Sequence, residues 1–160
     1  MIDRIIKRHF LTQPMEIAGG DHIFVGDPAY DEKFAVGSLK PGRWFFWADV
    51  SNRFARPIQI GAICVPSTDK DFSVRDVGGI GVDSASCCIS KRQKIDDYDR
   101  GALSAIVMCP PSFGKYRDMF VSLSGWGDGF YNVEVYEDCD FVVGVRVVFI
   151  GVDEVLDEAD

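Results

Sequence analysis

The chain has 160 residues, the size of one ordinary domain, and its 47% apolar and 26% charged composition excludes a disordered or fibrous polymer. Its 17 Lys and Arg against 25 Asp and Glu leave a formal charge of −8. That balance argues against nonspecific capture of nucleic acid or an anionic membrane, and suits solubility or a basic partner.

Ile2, Ile5, Ile6 and Phe10 recur at helical spacing with Arg4, Lys7 and Arg8 between them, which predicts a short N-terminal amphipathic helix. Charges break every apolar stretch there, so no secretory signal is expected, and no window reaches the roughly 18 apolar residues of a membrane helix. The expected location is cytoplasmic. From His22 onward the pattern changes to period two, and strands are predicted at 22–25, 43–50, 57–65, 79–82, 86–90, 119–124, 130–136 and 141–150. The last two form a predicted hairpin around the polar turn Glu137-Asp138-Cys139-Asp140. Its second arm is β-branched almost throughout, which places it centrally in a sheet, with Gly144 marking a bulge or a close approach.

One helical interruption is predicted where Ile95, Tyr98, Ala102, Leu103 and Ile106 lie near a 3.6 period, ended by Cys109-Pro110-Pro111. The expected fold is a single β-rich domain over 1–150, mainly an antiparallel β-sandwich with one or two short helices, followed by an acidic tail at 151–160. The five cysteines, Cys64, Cys87, Cys88, Cys109 and Cys139, include no C-x-x-C pair, so reduced thiols are expected. Cys87 and Cys88 sit side by side in a predicted strand and should face opposite sides.

Three aspartates fall in turns between strands: Asp27 before Pro28, Asp83 beside Ser84, and Asp128 within Gly125-Trp126-Gly127-Asp128-Gly129. A short carboxylate in such a turn accepts backbone N–H bonds and holds the turn shape. If the three loops converge, their oxygens could instead hold a divalent cation of the Ca²⁺ or Mg²⁺ type. In the loop 124–131, three glycines within five residues demand unusual backbone angles or close approach. It reads either as a strained turn or as a ligand loop in which Trp126 offers a flat face beside Asp128.

No G-x-G-x-x-G, phosphate loop or G-x-S-x-G elbow is present, and the two histidines, His9 and His22, both lie near the N-terminus. Trp44-Phe45-Phe46-Trp47 puts aromatics on both faces of a strand. These serve the core and sheet contacts, or, if Trp44 or Trp47 is exposed beside Arg43 or Arg53, a partner-binding hot spot.

Asp27-Pro28, Lys40-Pro41-Gly42-Arg43-Trp44, the run 60–65, Gly81-Val82-Asp83-Ser84 and the block 124–131 together resemble an uncharacterised bacterial family of unknown function. That family shares an early D-P, a P-G-x-[YW] strand entry, a G-V-D-[SA]-G segment and a terminal S-G-x-G-D-G-x-Y hairpin. Here Ala85 stands at the expected glycine. The resemblance implies a β-rich fold and toxin–immunity gene neighbourhoods, with no established activity. The expected function is therefore a non-enzymatic binding module of the immunity type, neutralising a basic protein such as a toxin, with no nucleic-acid or membrane partner. The alternative is a metal-dependent hydrolase or small-ligand binder using Asp27, Asp83, Ser84, Trp126 and Asp128.

Overall fold

A computed structural model describes residues 6–65, 72–151 and 154–155. It is β-rich, with two antiparallel sheets and, among the described residues, one long helix. In chain order the strands are β1 (Ile6–Phe10), β2 (Met15–Ile17), β3 (Ile23–Gly26), β4 (Phe34–Val36), β5 (Gly42–Ser51), β6 (Arg56–Val65), β7 (Ser73–Val82) and β8 (Ser86–Ser90). The helix α1 (Asp97–Met108) follows, then β9 (Phe113–Tyr116), β10 (Met119–Leu123), β11 (Gly129–Asp138) and β12 (Phe141–Val148).

The first sheet runs β1-β5-β6-β12-β11-β7, with β2 also paired to β5, and the second runs β4-β3-β8-β10-β9. Their inner faces meet in one core, where Phe46 of β5 stacks on Phe120 of β10 with ring centroids 5.1 Å apart. This is the expected sandwich, and β12 lies centrally between β6 and β11. The β11–β12 hairpin turns through Cys139, and its register shifts beside Tyr136, which pairs with Gly144. A Cβ at Gly144 would lie 2.4 Å from the Tyr136 ring, so the glycine marks both a bulge and a close approach.

The helix starts at Asp96, whose carboxylate accepts the Asp99 amide, and ends at Cys109 before the prolines. Through Leu103 it covers Cys88, Met119 and Val121 on the outer face of the second sheet. Cys87 faces the main core instead, so the adjacent cysteines do point to opposite sides.

Sequence reading and structure part in four places. The predicted N-terminal helix is a strand over its described part: Ile6 to Phe10 pair with Ser51 to Trp47 of β5. So short a helix is poorly nucleated in isolation. The β5 edge supplies a ready ladder, and Arg8 locks it by a two-pronged bond to Asp49 at 2.7 and 3.0 Å while lying over Trp47. Residues 1–5 lie outside the described set. Secondly, β7 begins at Ser73 rather than at 79, because β11 pairs along its whole polar first half. Ser73 to Asp76 are all exposed, so no alternation announced them. Thirdly, the short strands β2, β4 and β9 were not predicted. Finally, of the acidic tail only Gly151, Glu154 and Val155 are described, and Val155 is fully buried in the core.

Candidate functional site

The three aspartate turns do converge, at the end of the sandwich where the β3–β4, β7–β8 and β10–β11 loops meet. Asp27 is almost wholly buried. One carboxylate oxygen accepts the amides of Asp83 and Ser84 at 2.7 and 2.8 Å. The other accepts the Ala29 amide at 2.8 Å and the Ser84 hydroxyl at 2.6 Å. From the opposite side Asp128 accepts the Ala85 amide at 2.9 Å, and Ala85 returns its carbonyl to the Ser124 amide. The segment Asp83-Ser84-Ala85 is thus gripped from two loops at once.

The glycine-rich loop is wired just as fully. Gly125 and Gly127 have φ of +59° and +109°, where a side chain is strained. The buried Tyr131 hydroxyl bonds the carbonyls of Ser124 and Gly127, and the Ser124 hydroxyl also reaches Gly127. Burial raises the Tyr131 pKa, so its proton is retained to bridge these carbonyls. Ala85 also sits in the left-handed region, at φ +57°. A glycine adopts that conformation freely, whereas Ala85 holds it under strain.

Two carboxylates therefore spend their lone pairs on backbone, and the third points outward. Asp83 accepts the Tyr30 hydroxyl at 2.5 Å, a bond that raises the phenol's pKa. Beside them opens a cleft of about 740 Å³ lined by Asp27, Tyr30, Asp31, Glu32, Asp83 and the backbone of Gly81. Arg100 reaches into this lining by an ion pair with Asp31 at 3.4 Å. Lys33 turns its ammonium to the carbonyls of Tyr30 and Gln93, and burial lowers its pKa. The cleft is consequently acidic, with the half-exposed Tyr30 ring on its wall and the exposed Phe130 on the outer sheet face near it.

Of the residues singled out by sequence, Asp27 and Asp83 meet at this cleft. Ser84 lines a neighbouring hollow against α1. Asp128 braces Ala85, and Trp126 stands apart, edge-on to Phe54 at 4.9 Å and under the Arg56 guanidinium. Among the described residues no three His, Cys, Asp or Glu side chains are placed to hold a metal ion, so the three aspartates form no shared coordination sphere. Neither histidine lines the cleft.

Trp44 and Trp47 correct the sequence expectation of a partner hot spot: both are buried. Trp44 lies in the core and donates its indole N–H to the Lys40 carbonyl. Trp47 fills the space above Gly61, where a Cβ would come within 2.4 Å of its ring, and Arg8 covers it. Sequence reasoning missed Tyr30, Asp31 and Glu32, although Tyr30-Asp31-Glu32 directly follows Asp27-Pro28-Ala29. An acid-rich stretch between two short apolar runs was the available signal. Comparison with family models, curated proteins and solved structures finds no match.

Proposed function

We propose that this chain is a non-enzymatic binding module of the immunity type, which takes a basic partner protein such as a toxin at its acidic loop end. One observation carries the reading: the open cleft lined by Asp31, Glu32 and Asp83 beside the Tyr30 ring. Such a surface suits a Lys or Arg side chain, whose charge meets carboxylates while its stem or guanidinium plane lies on an aromatic face. The overall charge of −8 would draw a cationic partner and orient its approach. The hydrolase alternative loses support, since Asp27 and Asp128 are committed to backbone amides, Asp83 holds the Tyr30 hydroxyl, and among the described residues the three share no metal geometry.

Calorimetric titration of the full chain against oligolysine, with oligoglutamate as the control, tests this. Binding should weaken from about 50 to about 300 mM salt, because exposed charge pairs are screened as the Debye length shortens. Glu32→Lys should weaken it further. Salt-independent binding, or none, refutes the proposal.

A further inference from the structure

We infer that the partner is held by strand addition: an extended, cation-bearing segment lies along the free edge of β7, with its basic end in the acidic cleft. This rests on the binding reading above and names its mode. Among the described strands, β7 is the terminal member of its sheet and pairs with β11 alone, while β4 is the terminal member of the facing sheet on the same side. A terminal strand turns alternate backbone N–H and C=O groups outward, a template for a further strand.

Three hollows follow β7 along this open mouth of the sandwich. The acidic cleft lies at Gly81 to Asp83. A second hollow of about 240 Å³ lies at Gly79 to Gly81, against Phe34. A third, about 260 Å³, lies at Arg75 and Val77. Past a bulge at Val77, where the Asp76 carboxylate accepts the Gly78 amide, the regular edge from Gly79 to Val82 is about 13 Å long at roughly 3.3 Å per residue, enough for the basic half of an octapeptide strand.

Charge decides the occupant. Glu32 and Asp83, beside an Asp31 already paired with Arg100, call for Lys or Arg in the incoming strand at one end of the groove, and the walls at Phe34, Ile80 and Val77 call for apolar side chains beyond it. A second copy of this chain, also carrying −8, would meet repulsion there. Main-chain bonds would supply affinity, and the hollows specificity, as in other strand-addition complexes.

The test uses the full chain, ¹⁵N-labelled, and an acetylated octapeptide of alternating valine and threonine that begins with two lysines. Compared with it are the same peptide beginning with two glutamates, and two versions N-methylated at every second amide in opposite phases. The expected result is at least roughly tenfold slower amide exchange at outward positions of β7, and roughly tenfold weaker binding of the glutamate peptide. One N-methyl phase should lose binding and the other keep it, because only one row of peptide amides faces the edge. Shifts at Asp31, Glu32 and Asp83 without protection of β7, or equal binding of both N-methyl phases, overturn strand addition and leave the acidic cleft as the binding site. No binding of the lysine peptide overturns the inference, and failure of oligolysine in the calorimetric titration overturns the binding reading separately.

Discussion

Replacing Asp27 by Asn isolates the worth of the buried carboxylate that ties the loops together. The carboxylate accepts four hydrogen bonds, from the Ala29, Asp83 and Ser84 amides and the Ser84 hydroxyl. An asparagine amide has only one accepting oxygen, so its NH₂ must face one of the two donor pairs. Facing Asp83 and Ser84 it would meet two N–H groups. Facing the other side it meets the Ala29 N–H and a Ser84 hydroxyl that can turn to accept, since Ser86 lies 3.0 Å from it. The second orientation is therefore favoured, and the loss is one clashing N–H plus the charge assistance of the remaining bonds. Charge-assisted bonds contribute about 1.5–3 kcal/mol and an orphaned donor costs about 1–3 kcal/mol. Ala29 lies at the surface, where water relieves part of the cost, so about 2–3 kcal/mol is expected overall. At about 2–4 °C per kcal/mol for a domain of this size, the melting temperature should fall by about 4–12 °C. Amide exchange should quicken at Ala29 while Asp83 and Ser84 stay protected. A melting temperature within about 1 °C of the parent, or exchange quickened at Asp83 and Ser84 but not at Ala29, would refute the reasoning.

Ala85→Gly should stabilise by about 0–1 kcal/mol in chemical denaturation, since relief of about 1–2 kcal/mol of left-handed strain exceeds the entropic cost of glycine; a destabilised variant counts against strain at this site. Arg8→Ala should cost about 1–3 kcal/mol by the same measurement, because it leaves buried Asp49 with Gln59 as its remaining side-chain donor. That lies below the figure for a fully buried pair because the Arg8 side chain is 44% exposed. Arg8→Lys should recover only part of it, lacking the planar fork. Burial raises the Cys88 thiol from 9.0 to about 12 and raises Cys87 as well. These thiols stay protonated in the folded chain while the unfolded chain releases its protons near pH 9, so their stability contribution is complete below pH 9 and declines through the window up to about 12. Unfolding free energies measured upward from pH 9 should fall by about 1.4 kcal/mol per pH unit for each such thiol, and Cys88→Ala should flatten the slope; an unchanged slope would contradict the assignment.

The sequence carried the class of fold because the eight strands it announced either alternate or run continuously apolar, and β5, β6 and β12 are long enough for that pattern to outweigh local chance. It likewise carried the helix, whose stop at Cys109 is a matter of local proline chemistry. Strand β1 was not legible, because its residues fit a helix as well and only the β5 edge and Asp49 decide between them. The first half of β7 was silent because an exposed edge strand needs no apolar face. Asp27, Asp83 and Asp128 could be picked out as turn carboxylates one at a time. Their division of labour depends on which donors the neighbouring loops bring, and those loops come from 56 and 45 residues further along the chain. The fate of Trp44 and Trp47 was open for the same reason: an aromatic residue is buried or exposed according to what lies above it, here the core for one and Gly61 with Arg8 for the other. Local periodicity and turn chemistry act within a few residues and so fix the elements, whereas the acidic cleft exists only because sheet pairing carries Asp31, Glu32 and Asp83 to one end of the sandwich.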